Sequence, residues 1–401
     1  MLMMMLIIPL LAAVAAATDP LLGPPNLPTF TWIPDTANQP ALEQHYSFGK
    51  SIGRQFSNVI QDRMNSDTWL QQTLIPFFHG SPTYATFLQK NNETYPMYVL
   101  ELVGISDGAA VPFETLFINQ MSEEFSYFYK KGKDLSRNPE RCSDLAWISS
   151  SGKAYLVHNE DSSGGDVNHT VLISAPQGVG ESDIPFTTYT YLGNTPTGAF
   201  GWNANDLLFT MNYVAPSTGD LNGGLGRVFM ARDLLTMTSI QDGIFKITRT
   251  GIAAGHNYQL FDLKQQTITN VEVANFGRSV VTKFQAGAPA AFHANTYQHL
   301  GNISQQYSNS STHRDARAKI MLKNHPIQSI KDMLNVIGDQ HDHFWPIYHD
   351  NFSHKRGERS DWTLCTLLVD PSSKQLLIYT ENPKFHKPHV IINLKTWFDR
   401  L

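Results

Sequence analysis

The sequence is poor in cysteine and in charge. Its 401 residues include only two cysteines, and charged residues make up 16% of the chain. A small disulfide-stapled scaffold is therefore excluded, while the 41% of apolar residues can build a sizeable core, as disordered chains cannot. The length suggests one large or two fused globular units. With a formal net charge of -5 and no long basic run, nucleic acid is not an expected partner.

Long apolar runs are also absent, apart from one at the N-terminus. Residues 1–17 are apolar and end in three alanines before Thr18 and Asp19, the pattern of a signal peptide. An uncleaved anchor is the alternative, because no Lys or Arg precedes the run, although the run is slightly short of the ~20 residues of a membrane span. We therefore expect a secreted or lysosomal protein with no stable membrane insertion.

Glycosylation sequons agree with a secretory route. Each is an N-x-S/T triplet without an intervening proline, and five such triplets suit a secreted glycoprotein, although a few arise by chance. They begin at Asn92, Asn168, Asn302, Asn309 and Asn351.

The first third of the chain divides into an arm and a helical segment. Residues 18–40 are rich in proline and polar residues and predict a surface arm or linker. Residues 41–141 are mainly helical by their apolar spacing of three and four, with a turn predicted at Gly104 and Gly108.

After residue 141 the pattern changes to short β-branched and aromatic runs. They predict four hairpins, three with tips at residues 151–153, 264–266 and 371–374. Helical patterns lie between them at residues 226–242 and 312–340, the second divided near Pro326. Residues 142–401 thus predict an α+β core of antiparallel sheets that need covering layers.

The two cysteines have different surroundings. Cys365 lies in an alternating strand pattern, which favours a buried free thiol over a disulfide with Cys142, although a disulfide is the ordinary alternative in an oxidising compartment. Cys142 stands where helices give way to hairpins and could attack the Arg141–Cys142 bond. Cleavage there would leave Cys142 with a thiol and a free α-amine, whose reference pKa of ~7.7 to 8.0 suits a base.

Eight stretches carry a family resemblance. In order they read ELVGISDGAAVPFETLFINQMSEE, RCSD, GKAYLVHNED, GAFGWNANDLLFTMN, GLGRVFMARDLL, AAGHNYQLFD, AFHANTY and ENP, over about residues 101–383. They resemble the N-terminal-nucleophile hydrolases of the penicillin acyl-coenzyme A:6-aminopenicillanic acid acyltransferase family, which includes β-alanyl-dopamine (carcinine) hydrolases. The resemblance implies a four-layer αββα sandwich and cleavage before Cys142 into two chains that stay associated.

The resemblance also implies site residues. Cys142 matches the nucleophile, Asp161 matches an aspartate that orients the amine, and Asn295 matches an asparagine that binds the oxyanion. The alternative roles are a hairpin cap for Asp161 and a helix or turn cap for Asn295. Arg359 and Ser360 stand in the reverse order of the family's Ser-Arg pair, which leaves the arginine's role open.

Other polar residues are weaker candidates. Asn159, Asp144 and Glu160 could support the site, whereas His158 and His256 lie in strand or turn patterns typical of core histidines. Histidine and aspartate also crowd residues 341–354 and could bind zinc, but their spacing matches no standard pattern, so we predict no metal and no cofactor. The crowded residues are His341, Asp342, His343, His349, Asp350 and His354.

These observations together predict an autoprocessed secretory amidohydrolase. By resemblance, it would hydrolyse N-acyl amides of small amines, of the β-alanyl type, through a thioester on Cys142. Its partners would be that small amide and its own cleaved N-terminal chain. Two alternatives remain: acyl transfer from a thioester donor to an amine, and an inactive secreted binding glycoprotein that kept the fold.

Overall fold

The computed structural model describes residues 25–34, 39–129, 142–214, 223–305, 308–357 and 361–400. The signal peptide predicted at residues 1–17, Arg141, Arg359 and Ser360 lie outside these residues. None of the described helices combines the length and apolar character needed to cross a membrane.

Residues 41–129 are helical, as the apolar spacing predicted. Ser81 caps one of these helices by accepting a hydrogen bond from the Tyr84 backbone N–H, and prolines occupy the first turn of several. A π-helical turn at Leu70–Leu74 precedes α3. The helices are α1 (Ala41–Gln55), α2 (Ser57–Ser66), α3 (Ile75–Phe78), α4 (Pro82–Thr94), α5 (Pro96–Ala109), α6 (Phe113–Gln120) and α7 (Ser122–Tyr129).

The turn predicted at Gly104 and Gly108 was wrong, because α5 runs through both residues. The glycines instead allow α5 to cross α1 with the backbones in contact. A Cβ on Gly104 would meet the backbone oxygen of Tyr46, and one on Gly108 would meet that of Lys50. Glycine therefore serves here for close packing and not for a turn.

Two sheets form the centre of the protein. The first has the order β1-β4-β5-β6-β7-β8-β9-β10, and the second has the order β11-β2-β3-β12-β13-β14. The strands of the first sheet are β1 (Thr29–Thr31), β4 (Thr170–Ala175), β5 (Phe186–Tyr191), β6 (Gly198–Asn203), β7 (Leu207–Val214), β8 (Gly255–Asp262), β9 (Thr267–Ala274) and β10 (Arg278–Lys283). Those of the second are β2 (Ser143–Ile148), β3 (Ala154–Ser162), β11 (Ala291–His293), β12 (Trp362–Asp370), β13 (Gln375–Tyr379) and β14 (Val390–Asn393).

Helices cover the outer face of each sheet. The first sheet packs against α1–α7 with α8 (Arg227–Leu234) and α9 (Ile240–Ile247), and the second against α10 (Asn309–Asn324) and α11 (Ile330–Ile337). A short helix, α12 (Asn351–Lys355), precedes β12. A separate apolar core fills the space between the sheets. The α+β prediction with four αββα layers is therefore confirmed.

Most of the predicted hairpins are present. The tips at residues 151–153, 264–266 and 371–374 join β2 to β3, β8 to β9 and β12 to β13. The remaining prediction became a meander of three strands, β5, β6 and β7. The helical pattern at 226–242 is interrupted, because α8 ends at Leu234 and Ser239 caps a new helix.

The predicted arm contributes a strand within its described part. Thr29–Thr31 form β1, which pairs in parallel with β4 at the edge of the first sheet. The flanking Leu27 and Trp32 are buried. This stretch of the arm is therefore packed onto the sandwich.

Candidate active site

Cys142 lies at the start of β2, between the two sheets. The register pairs Ser143 with Asn159 and Asp144 with His158, which sets Cys142 opposite Glu160 on β3. Because side chains alternate along a strand, Cys142, Asp144, His158 and Glu160 share one face of the second sheet. The Cys142 thiol is buried and donates a 3.3 Å hydrogen bond to Glu160 Oε2.

A buried histidine joins the carboxylates of this face. His158 bonds to Asp144 Oδ1 through Nδ1 at 2.8 Å and to Glu160 Oε2 through Nε2 at 3.0 Å. The first sheet adds two donors, since Tyr191 donates to Glu160 Oε1 and Thr210 donates to Asp144 Oδ1. Polar contacts thus cross from one sheet to the other beside Cys142.

The surroundings of His158 favour the protonated form of its imidazole. Burial by itself would lower its pKa, but Asp144 and Glu160 outweigh burial and raise the pKa to about 10. A charge in such a place needs partners, because an unpaired buried ion is costly. The sequence suggested an ordinary core histidine at this position. The structure instead places His158 beside Glu160, which accepts the hydrogen bond of the Cys142 thiol.

Arg314 on α10 approaches Cys142 from the other face of the second sheet. Its Nη1 donates to the Cys142 carbonyl oxygen and to Ser143 Oγ, both at 2.7 Å. Its Nη2 donates to Asn295 Oδ1 at 2.7 Å. Sequence reasoning missed this residue, because it considered only Arg359 as the site's arginine. A single buried arginine in a largely polar helix gave no signal.

Asn295 lies just after β11 and is half-buried. Its Nδ2 donates to the Tyr213 carbonyl oxygen at 2.8 Å, and its Oδ1 accepts from Arg314. An amide has two N–H hydrogens, so the bond to Tyr213 uses one of them. The structure therefore brings Asn295 and Cys142 to the same guanidinium.

Asp161 lies on the opposite face of β3 from Glu160. Its Oδ1 accepts a 2.6 Å hydrogen bond from Thr363, and its Oδ2 lies 3.9 Å from His349 Nε2. Burial raises its pKa to about 7, against the lowering effects of His349, Arg314 and Thr363. Asp161 thus faces the Arg314 side of the sheet, and its part in orienting the amine stays a prediction.

The side chain of Asn159 connects the second sheet to the helical layer outside it. Its Nδ2 donates to the carbonyl oxygens of Ile337 and Ile347, and its Oδ1 accepts from Thr366. These bonds tie β3 to the end of α11 and to the loop that follows. The contacts describe an anchor for the sheet that carries the site.

The histidine-rich segment does not assemble as a group. His349 is buried beside Asp161, while His354 bonds to the Asp361 carbonyl oxygen. Among the described residues, the ligand-type atoms close enough to share a metal are those of Cys142, His158 and Glu160, within 4.8 Å of one another.

The two cysteines are both free and buried. The prediction of a buried free thiol at Cys365 is confirmed. Burial raises the pKa of Cys365 well above its ordinary value, and Glu160 adds to that effect. Cys365 lies in the core between the sheets and is poorly suited to act as a nucleophile.

A comparison with protein families identifies the group to which the chain is related. The family model described as acyl-coenzyme A:6-aminopenicillanic acid acyl-transferase matches residues 147–385. The chain belongs to this family. The matched segment includes Asp161 and Asn295, and it begins shortly after Cys142.

Individual proteins also resemble the chain. It is 24% identical over 367 residues to the β-alanyl-dopamine/carcinine hydrolase of Drosophila melanogaster, an alignment that covers 86% of this chain and 92% of that protein. A Caenorhabditis elegans ortholog of N-acylethanolamine-hydrolyzing acid amidase aligns at 12% identity and a TM-score of 0.41, over 57% of this chain and 93% of that one. A mutant conjugated bile acid hydrolase from Clostridium perfringens aligns at 12% identity and a TM-score of 0.38, over 64% of this chain and 93% of that one.

Proposed function

We propose that this protein is a cysteine amidohydrolase that is made as a precursor and cleaved before Cys142. One observation carries the proposal: Cys142, directly before β2, donates its thiol hydrogen to Glu160 and accepts a hydrogen bond from Arg314 at its carbonyl oxygen. Both ends of the residue are thus held by buried charged groups. Cleavage of the Arg141–Cys142 bond would leave this residue as the N-terminus of the second chain.

The chemistry then follows from one residue. The free α-amine of Cys142 takes the thiol proton, and the thiolate attacks the amide carbonyl of the substrate. The second Nδ2 hydrogen of Asn295 stabilises the oxyanion, and Asp161 orients the α-amine. The α-amine gives its proton to the leaving amine, which departs and leaves a thioester. Water hydrolyses the thioester and restores the thiol.

We propose N-acyl amides of small amines as substrates, of the β-alanyl type. Support comes from the carcinine hydrolase of Drosophila melanogaster, which aligns over most of both chains. The family's description names an acyltransferase, and the same thioester would transfer its acyl group if an amine outcompeted water. Acyl transfer is therefore the second candidate function.

We propose a secretory route and a two-chain organisation. Residues 1–17 would be the signal peptide, 18–40 the arm, 41–141 the first chain and 142–401 the second. Four of the sequon asparagines are exposed, as glycosylation requires, and Asn351 is half-buried. The exposed ones are Asn92, Asn168, Asn302 and Asn309.

A two-part experiment tests the proposal. In proportion to 45.0 kDa for 401 residues, the chains of residues 18–141 and 142–401 should have masses of about 14 and 29 kDa before glycosylation. Mass spectrometry should find Cys142 as a new N-terminus, and the mature protein should release free amine from an N-β-alanyl amine panel. Cys142→Ala should abolish cleavage and release, whereas Cys365→Ala should retain both.

Two results would contradict the proposal. The first is amine release by protein that is still continuous through residue 141. The second is a fully cleaved protein that releases no amine from N-β-alanyl, N-acetyl or N-arylacetyl substrates, which would point to a lipid or peptide amide as the substrate instead.

A further inference from the structure

The precursor poses a chemical problem that the mature enzyme does not have. Before cleavage, the nitrogen of Cys142 belongs to a peptide bond and is not basic. The nucleophile in an attack on the Arg141 carbonyl carbon is the thiolate and not the thiol. Another group must therefore accept the thiol proton in the uncut chain.

Glu160 is the carboxylate that contacts the Cys142 thiol. Its Oε2 accepts the hydrogen bond from the Cys142 thiol at 3.3 Å, and both residues are buried. The β2–β3 register places them opposite each other, so the contact is built into the sheet. A general base must lie within hydrogen-bonding reach of the proton that it removes, and Glu160 meets that condition.

The surroundings of Glu160 fix its orientation. The Oε2 atom also contacts His158 Nε2 at 3.0 Å, and Oε1 accepts from the Tyr191 hydroxyl. His158 is held in turn by Asp144, to which Thr210 donates. These bonds come from both sheets, so the carboxylate cannot turn away without breaking several of them.

The neighbouring carboxylates are less well placed. Asp161 follows Glu160 along β3 and faces the other side of the sheet, where it accepts from Thr363. Asp144 lies two residues further along β2, and its Oδ1 is shared by His158 and Thr210. The hydrogen bond of the thiol goes instead to the Glu160 carboxylate.

We propose that Glu160 accepts the Cys142 thiol proton in the step that cleaves the Arg141–Cys142 bond, and that His158 and Asp144 hold its carboxylate in position. The inference rests on the proposed cleavage. After the cut, the α-amine of Cys142 takes over as the base, so Glu160 should matter more for making the enzyme than for its turnover.

The step balances with water as its only co-reactant. The thiol proton passes to Glu160, and the sulfur forms a bond to the Arg141 carbonyl carbon. The C–N bond then breaks as the Cys142 nitrogen receives the proton from Glu160, which gives a thioester and a free amine. Water hydrolyses the thioester to the Arg141 carboxylate and restores the thiol.

The test separates self-cleavage from turnover in the full chain. Asn138→Ile, Pro139→Glu and Glu140→Gly give the parent the sequence Ile-Glu-Gly-Arg before Cys142, after which the protease factor Xa cuts. In this parent, Glu160→Gln should slow self-cleavage by about 10²-fold or more, the usual contribution of a general base. Cutting with factor Xa should then restore amide hydrolysis close to the rate of the cut parent, because the α-amine of Cys142 is then the base.

Further variants keep the result interpretable. Glu160→Asp retains a carboxylate but draws it back from the thiol, so self-cleavage should be slowed less than in Glu160→Gln. Glu101→Gln is the matched control, because Glu101 is another buried carboxylate bonded to a histidine, His45, at 2.7 Å. It lies in the helical layer and should leave the self-cleavage rate unchanged.

The outcomes are distinct. The inference is overturned if Glu160→Gln cleaves itself at the parent's rate. It is also overturned if folded Glu160→Gln protein, after cutting with factor Xa, hydrolyses amides no faster than Cys142→Ala. If Glu160→Gln does not fold, Glu160→Asp decides, and a parental rate in that variant overturns the inference. A parent that does not cleave itself, yet hydrolyses amides after factor Xa, would instead refute the proposed autoprocessing.

Discussion

The guanidinium of Arg314 donates a 2.7 Å hydrogen bond to the carbonyl oxygen of Cys142. The same group donates to Asn295 Oδ1 at 2.7 Å. One buried cation therefore connects the proposed nucleophile to the amide proposed for the oxyanion. Because Arg314 belongs to α10, the helical layer outside the second sheet sets the distance between these two parts of the site.

Replacing Arg314 should damage turnover more than substrate binding. Arg314→Lys keeps the charge but loses the planar fork that reaches Cys142 and Asn295 together. We expect kcat to fall by about 10²-fold, comparable to the loss of an oxyanion donor, with KM changed little. Steady-state kinetics on factor Xa-cut protein measure both constants.

The matched control is Arg317, one turn further along α10. Its guanidinium pairs with Asp339 at 2.9 Å, on the loop that follows α11. Arg317→Lys should leave kcat nearly unchanged. Equal losses in the two variants would show that α10 matters through its packing and not through the Arg314 contacts.

Asn295 and Asn159 should respond differently to the same truncation. Asn295→Ala removes the proposed oxyanion donor, so kcat should fall by about 10²-fold or more. Asn159→Ala leaves the carbonyl oxygens of Ile337 and Ile347 without this donor. That loss should lower the free energy of unfolding by about 1–3 kcal/mol.

Two measurements distinguish these effects. Kinetics with an N-β-alanyl amine should separate the Asn295 variant from the parent, and urea unfolding should separate the Asn159 variant. An Asn295→Ala enzyme with parental kcat would remove the oxyanion role and favour the turn-cap alternative.

Much of the fold follows from local patterns, because hairpin tips and strand alternation depend on neighbours in the sequence. The tips at residues 151–153 and 371–374 are examples. Arg314 and Gly104 could not be assigned this way. Their roles come from close approaches to distant residues, Cys142 for the arginine and Tyr46 for the glycine. Burial of a polar side chain in a polar helix, or of a glycine at a helix crossing, leaves no periodic signal.

The site residues also fall into those that the sequence indicated and those that only the three-dimensional structure reveals. The family resemblance indicated Cys142 and Asn295, which the structure connects through Arg314. It also indicated Asp161, which lies on the face of β3 away from the Cys142 thiol, whereas Glu160 faces that thiol. Neighbouring residues of a strand point to opposite faces, so only the register of β2 and β3 decides which carboxylate meets the sulfur.

Asp161 should make the stability of the folded chain depend on pH. Burial raises its pKa from 3.8 to about 7, so between these values the native state holds a proton that the unfolded state has released. Stability therefore falls as pH rises through this window, because the native state must ionise a buried carboxyl. Asp161→Asn keeps an acceptor for Thr363 and removes this titration.

Urea unfolding at pH 5 and pH 8 measures the effect. Both proteins should carry Cys142→Ala, so that one uncut polypeptide unfolds. The stability of Asp161→Asn relative to its parent should be greater at pH 8 than at pH 5. An equal difference between the two proteins at both pH values would show that Asp161 does not titrate in this range.

The crossing of α1 and α5 should tolerate no side chain on Gly104. A Cβ there would meet the backbone oxygen of Tyr46, which cannot move without shifting α1. Overpacking of this kind costs about 1–3 kcal/mol, so Gly104→Ala should lower the free energy of unfolding by that amount. Gly301 is exposed, and a Cβ on it would meet no atom of the described residues within 4 Å, so Gly301→Ala should be nearly neutral. Urea unfolding of both variants in the uncut Cys142→Ala chain compares them directly. Equal stability would mean that the helices separate at little cost and that the glycines are not needed for the crossing.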